Sequence, residues 1–401
     1  MQLARRILNL LKTDSGAWEP YYRARELKEA GEAVVNLTVG DHDIPTDPAI
    51  LAEMSESASR GRTGYSVVSG TTALRKAVAT RIEKRTGVPT GIENVVITCG
   101  GQGALLVSHL AILNPGDKAL FFDPYYPTYP GTIMAAGGTP VPVATSPRRD
   151  FRPEGKALDQ AAVGATSLLF NSPNNPTGTI YPQETIAMIA AAAQKHDLWV
   201  ISDEVYDTQI WSGEHASIRA LDGMQERTFV IGSMSKSFAM TGSRVGWLAG
   251  PAEIMNALGE LLTVVTFGVP EYIQDAALYA LNRDLEFEPK VAEPFRRRLS
   301  VALDVLRNQR VVSLVPPMGA MYLMLDVRAT GLSGRDFALH LLEHERIAVM
   351  PGESFGRSAA GHVRVAMTVP AEDLGDALRR LASVAGELAR NRSATAAPAA
   401  A

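Results

Sequence analysis

Leu198-Trp-Val-Ile-Ser-Asp203-Glu204-Val-Tyr206 is an unbroken apolar run that ends on an acid, and its reading decides the fold. An unbroken run, rather than an alternating one, marks a strand buried on both faces, as in a parallel sheet covered by helices. Thr228-Phe-Val-Ile-Gly232 and Val245-Gly-Trp-Leu-Ala249 follow it with the same character. Upstream, Asn94-Val-Val-Ile-Thr-Cys99, Lys118-Ala-Leu-Phe-Phe-Asp123 and Ser167-Leu-Leu-Phe-Asn171 read likewise. Helical stretches separate them. Gln102 to Leu113 is closed by Asn114-Pro-Gly-Asp117, and Gln183 to His196 follows Pro182, which suits a first helical turn. The pattern predicts an α/β fold built on a mostly parallel sheet.

The C-terminal third differs. A charged helical stretch, Glu286 to Gln309, precedes two strand-like runs, Met321-Tyr-Leu-Met-Leu-Asp326 and His362-Val-Arg-Val-Ala366, with a helix over Gly334–Glu343 between them. At 401 residues the chain exceeds what one core usually supports. We therefore expect a large domain over 46–285 and a smaller α+β domain over 286–390. Residues 1–45 should pack with the small domain, and the small-residue stretch 391–401 should form a flexible tail.

Composition narrows the function. Hydrophobic residues make up 46% and charged residues 20%, and the net charge is −4 with Lys and Arg spread evenly, so no basic stripe speaks for nucleic acid. The one cysteine, Cys99, excludes an intramolecular disulfide, and seven scattered histidines without metal-ligand spacing give no reason to expect a metal. The start, Met1-Gln-Leu-Ala-Arg-Arg-Ile-Leu-Asn-Leu-Leu, lacks the apolar core and cleavage site of a signal peptide. No apolar run approaches the ~20 residues of a membrane span. A cytoplasmic protein with small-molecule partners is expected.

Chemistry concentrates at the strand ends. Asp203 closes a buried strand at the carboxyl edge, where open α/β sheets bind ligands. An acid there can keep a heteroaromatic ring nitrogen protonated, as a pyridoxal ring requires to act as an electron sink. Read alone, Asp203 serves equally well as a helix N-cap. Tyr206 can donate to the phenolic oxygen of the same ring. In Ser233-Met-Ser-Lys236-Ser-Phe-Ala-Met-Thr-Gly-Ser-Arg244, small and apolar neighbours favour a neutral amine, the form that condenses with an aldehyde. Arg244 offers planar donors for a phosphate. The bland alternative is a Lys–Arg pair on a surface loop.

Two further segments join them. Asn171-Ser-Pro-Asn-Asn175-Pro-Thr-Gly178 is a Pro-locked turn that can aim Asn175 into a site, or serve as a connector. Gly100-Gly101-Gln102-Gly103 lies between strand and helix, as in a phosphate cradle. The cradle also admits a rival. Asp123, twenty residues after Gly103, mimics the ribose acid of a dinucleotide fold, yet Leu106 stands where the third glycine belongs. In Tyr125-Tyr126-Pro-Thr-Tyr129, one tyrosine face can stack on a flat ring; Tyr125 and Tyr129 read as loop packing.

Taken in order, these segments resemble the class I/II pyridoxal-phosphate-dependent aminotransferases of fold type I, from about Val34 to Ala366. The resemblance implies pyridoxal 5′-phosphate as cofactor and Lys236 as the catalytic lysine that carries it as a Schiff base. It assigns the ring to Tyr126, Asn175, Asp203 and Tyr206, and the phosphate to Gly101, Gln102, Ser233 and Arg244. Tyr65, in Tyr65-Ser-Val-Val-Ser-Gly70, resembles the tyrosine lent to the phosphate of a partner subunit, which implies a homodimer. Gly40, Asn175 and Arg364 fall where the family meets the substrate carboxylate. Within the family, Gly16-Ala-Trp18, the run from Pro270, Asp326-Val-Arg-Ala-Thr-Gly-Leu-Ser and the run from Gly352 resemble bacterial transaminases of the arginine–pyruvate type.

Two departures stand out. His42 replaces the usual proline of the first glycine motif, and Ser243 replaces the aromatic residue before the phosphate arginine. The implied reaction is ping-pong transfer of an amino group between an α-amino acid and a 2-oxo acid. A lyase or decarboxylase on the same scaffold shares the cofactor residues. A nicotinamide oxidoreductase leaves Lys236, Arg244 and Asn175 unexplained, and a cofactor-sensing regulator would need room for a DNA-binding module.

Overall fold

The computed structural model describes residues 2–4, 7, 8, 10 and 18–396. The central sheet has seven strands, in spatial order Val95–Thr98, Gly246–Ala249, Thr228–Ser233, Trp199–Asp203, Ser167–Asn171, Lys118–Asp123 and Thr139–Ala144. Gly246–Ala249 runs antiparallel to both neighbours, and the other pairs are parallel. Thr139–Ala144 is the strand the sequence does not announce. Pro140 and Pro142 cannot donate to a ladder, and they are tolerated because this strand has only one neighbour.

Alternation along each strand sends side chains to two helical layers. Leu169, Ile201, Phe229 and Ile231 pack with Ala104, Leu105, Met255 and Leu258 of the helices Gly100–Ile112 and Ala252–Val265. Leu168, Phe170 and Val200 meet Leu158, Ile186 and Ile189 of Gly155–Ala162 and Gln183–Lys195 on the other face. Fully burying each such side chain is worth roughly 1.5–3 kcal/mol, so this sandwich is what holds the strand ends in register. Asn171 is paired with Asp203, and Asp203 with Ile231, which puts the chemistry-bearing ends at one level.

A second, antiparallel sheet orders Met350–Pro351, His362–Ala366, Tyr322–Asp326 and Ser313–Leu314. Leu323, Leu325, Val363 and Val365 pack against Phe337 and Leu341 of Gly334–Glu345, Phe295 and Leu299 of Asp284–Leu306, and Leu374 and Leu378 of Ala371–Ala396. Near the N-terminus, Val35–Asn36 pairs in parallel with Ile347–Ala348, and the helix Glu19–Glu29 seats Ala24 and Leu27 on Leu342 and Ala348.

The last helix, Ala371–Ala396, overlaps the first part of the stretch expected to form the tail. It continues to Ala396, because alanine and arginine are strong helix formers and the low-complexity stretch only begins at Ser393. Residues 397–401 lie outside the described residues, as do Gly16 and Ala17 of the N-terminal motif.

Candidate active site

The carboxyl edge of the central sheet and the inner face of the second sheet enclose a cavity of about 400 Å³. Every residue that the family resemblance assigns to the site lines it except Tyr65. Lys236 follows the strand Thr228–Ser233 in the short helix Met234–Ser237, whose first turn Ser233 caps by accepting from the Ser235 amide at 3.1 Å. The Lys236 ammonium donates to the Gly40 carbonyl, and Gln209 Nε2 donates to the Lys236 carbonyl at 3.2 Å.

Asp203 forms the floor. It is 5% exposed, and burial pushes its carboxyl up to about 6, although a hydrogen bond from Tyr129 works the other way. Tyr129 Oη donates to Asp203 Oδ2 at 2.6 Å, and the Val205 amide approaches Oδ1 at 3.4 Å. No helix starts at Asp203, so the N-cap reading does not hold. Among the described residues Asp203 has no ion-pair partner. Tyr129 was therefore misread as loop packing: its ring is buried, but its hydroxyl grips the acid. The sequence carried only a faint signal, a third tyrosine in a Pro-locked segment that opens the helix Tyr129–Ala135.

The opposite wall belongs to Arg364. Its strand pairs with Tyr322–Asp326 in a register that opposes Met324 to Arg364, so Tyr322 is a diagonal neighbour on the same face. The Tyr322 and Phe355 rings each lie 4.4 Å from the guanidinium carbon. Arg364 donates to Asn175 Oδ1 at 2.8 Å and to the Thr38 carbonyl, while its Nε has no partner. Burial lowers the guanidinium from its ordinary value, yet arginine stays a cation in any protein setting. Asn175 is itself fixed, since its amide donates to Asn171 Oδ1 at 2.7 Å and Asn171 Nδ2 donates to the Asp203 carbonyl at 2.8 Å. Tyr206 shares a 2.9 Å hydrogen bond with Tyr322. Tyr322 and Phe355 were missed because only strand pairing and a distant loop bring them to Arg364.

At the remaining end, Gly100 opens the helix Gly100–Ile112 with φ +69, and a Cβ there would lie 2.5 Å from Arg244 Nη2. The positive φ favours glycine, and a larger residue would also push the Arg244 guanidinium aside. Arg244 donates to the Thr241 carbonyl at 2.6 Å. Gly101 sits in the first turn, Gln102 Oε1 accepts from Thr128 at 2.9 Å, and the Tyr126 ring stands edge-on to Tyr129 at 5.8 Å. His42 packs edge-on against Phe295 at 5.4 Å, and burial holds its imidazole down at about 4. Trp18 also lines the cavity. Tyr65 does not reach it; the ring is 89% exposed and packs edge-on to Phe267 at 4.9 Å.

Asp123 has other work than holding a ribose. Its carboxylate accepts the amides of Arg357 and Ser358 at 3.0 and 3.1 Å, which removes the feature that favoured a dinucleotide fold. No helix among the described residues is long and apolar enough to cross a membrane.

Comparison with known proteins agrees with this geometry. The profile of a family described as "Aminotransferase class I and II" matches residues 32–381. An arginine–pyruvate transaminase of Pseudomonas aeruginosa is 40% identical over 375 residues, covering 93% of this chain and 95% of its own. An aspartate/prephenate aminotransferase of Thermus thermophilus is 34% identical, covering 91% of this chain and 94% of its own. A solved structure of aspartate aminotransferase from Thermus thermophilus with maleate superposes with a TM-score of 0.90 at 33% identity, covering 96% of this chain and all of that one.

Proposed function

The chain belongs to the class I and II aminotransferases and is a pyridoxal-phosphate-dependent transaminase, and we propose how its own residues divide the work. The cavity suits the cofactor on three counts. Asp203 is a buried acid without a cation, which a protonated ring nitrogen would supply. The start of the helix Gly100–Ile112, with Ser233 and Arg244 beside it, provides amide, hydroxyl and guanidinium donors for a phosphate. Lys236 stands between these two ends as the amine.

Bound there, pyridoxal phosphate supplies an aldehyde carbon that captures amines and a ring that spreads negative charge away from a neighbouring carbon. Lys236 would tether the cofactor, and its freed Nζ would take the proton from the donor Cα and deliver it to the aldehyde-derived carbon, the shift that transamination requires. Asp203 would retain the proton on the ring nitrogen, with Tyr129 keeping its carboxylate ionised and oriented. Tyr126, Asn175 and Tyr206 would hold the ring, and Gly101, Gln102, Ser233 and Arg244 would hold the phosphate. Arg364, already aimed by Asn175 and Thr38, pairs with the donor α-carboxylate while Gly40 shapes the approach. The free Nε of Arg364, flanked by two rings, carries this assignment.

The exposed Tyr65 and its neighbour Phe267 support a homodimer in which Tyr65 completes the phosphate site of the partner subunit. We assign the large domain to 46–285 and the small domain to 286–390, with 1–45 packed on the latter, and a cytoplasmic setting suits the single cysteine. The test is a screen of cofactor-loaded protein with the common amino acids, using pyruvate and 2-oxoglutarate as acceptors. Loss of the amino group only when an oxo acid is present supports transamination. Release of ammonia or carbon dioxide without an acceptor would favour the lyase or decarboxylase reading instead.

A further inference from the structure

Asp123 ends the central strand Lys118–Asp123, outside the cavity, and is 5% exposed. Among the described residues its two oxygens form no ion pair, although the Ser358 side chain and the Arg357 charge also favour the carboxylate. The oxygens accept two consecutive main-chain amides, Arg357 on Oδ2 and Ser358 on Oδ1, from a segment that belongs to the second-sheet half of the molecule. The approach is close enough to dictate sequence. Gly356 sits at φ +116, and a Cβ there would lie 2.2 Å from Asp123 Oδ1. Beside it, the Tyr125 amide donates to the Phe355 carbonyl at 2.9 Å.

The same segment is anchored at its other end to its own half. Glu353 Oε1 accepts the amides of Gly334 and Gly361 at 2.9 and 3.0 Å. Residues 353–358 thus form a strap fixed to both halves, with Phe355 at its middle. The Phe355 ring is fully buried and lies against the Arg364 guanidinium. Asp123 and the Tyr125 amide are thus polar contacts that hold the strap, and Phe355 with it, to the central sheet.

We propose that Asp123 is a positioning residue for carboxylate recognition, acting through the 355–358 strap to set Phe355 against Arg364. This rests on the reading that Arg364 takes the donor carboxylate. Displacement of a binding group by about an ångström costs up to roughly a hundredfold in rate, so a modest shift of the strap is enough to be read.

The experiment compares Asp123→Asn, Gly356→Ala and Arg364→Lys as cofactor-loaded protein. The measurements are steady-state constants, calorimetric binding of propionate as an unreactive carboxylate, amide exchange at Arg357 and Ser358, and the spectrum and affinity of the cofactor. For Asp123→Asn we expect KM for both amino acid and oxo acid to rise roughly tenfold with kcat nearly retained. Propionate binding should weaken in proportion, the two amides should exchange faster, and the cofactor spectrum and affinity should stay as in the wild type. Gly356→Ala should reproduce this by crowding the carboxylate, and it serves if Asp123→Asn does not fold. If Arg364→Lys weakens propionate binding while Asp123→Asn and Gly356→Ala leave it unchanged, the positioning role is wrong. If Arg364→Lys also leaves it unchanged, the carboxylate reading of Arg364 fails instead.

Discussion

Tyr129 Oη donates to Asp203 Oδ2 at 2.6 Å, from a ring buried behind the cavity floor that Asp203 forms. The bond favours the ionised carboxylate against a desolvation that disfavours it. Tyr129→Phe should leave that oxygen without a donor, a loss of roughly 1–3 kcal/mol in a buried setting. Cofactor affinity should fall about tenfold or more at pH 8, and the pH below which the cofactor is lost should move upward. Cofactor titration of the two proteins across pH 5 to 9 measures both.

Asp203 also links stability of the cofactor-free protein to pH. Its carboxyl is pushed up to about 6 from 3.8, so the folded protein binds this proton more tightly than the unfolded chain. The associated stability is complete below the lower value and is lost as pH rises through the higher one. A shift of about two units corresponds to at most about 3 kcal/mol. Asp203→Asn without cofactor should therefore melt higher than the wild type at pH 8 and alike near pH 4, while binding cofactor poorly. A wild-type advantage at pH 8 without cofactor would contradict the desolvation argument.

Lys236→Ala should abolish the visible absorption of the covalently held cofactor and slow transamination by roughly 10²–10⁴-fold or more, the usual contribution of a positioned acid–base group. Lys236→Arg should rescue neither, because a guanidinium does not give up its proton. Absorption spectra and single-turnover rates with excess donor decide the matter.

Gly40 meets a hard steric limit. A Cβ there would lie 1.9 Å from Tyr322 Oη, the atom that also bonds Tyr206. Gly40→Ala should displace Tyr322 and with it one face of the Arg364 sandwich, raising KM for the donor. Gly40→Ala combined with Tyr322→Phe should recover part of the loss, which a double-mutant cycle would register as coupling.

Tyr65 gives a test of the dimer. Tyr65→Phe and Lys236→Ala are each expected to be impaired alone. Mixed dimers should regain activity, because one site then combines Lys236 of one subunit with Tyr65 of the other. Absence of complementation in a demonstrated mixed dimer would remove Tyr65 from the partner's phosphate site.

What the sequence determined by itself is local and periodic. The unbroken runs ending at Cys99, Asn171, Asp203 and Gly232 announce buried strands, and the residues that follow them place the Gly100 helix start, Asn175 and Lys236 at one sheet edge. Those residues also carry the family resemblance that implies the cofactor. The proline-bearing edge strand Thr139–Ala144 was not legible, because its tolerance for proline depends on having a single neighbour. Tertiary structure alone decided which groups touch across long stretches of chain. Tyr129 reaches Asp203 only because the packing of Gly100–Ile112 and Tyr129–Ala135 brings a loop back over the sheet, and Tyr322 and Phe355 reach Arg364 only through strand register and the Asp123 strap. Such contacts depend on register and close approach between distant segments, and neither composition nor periodicity encodes them in any one stretch of residues.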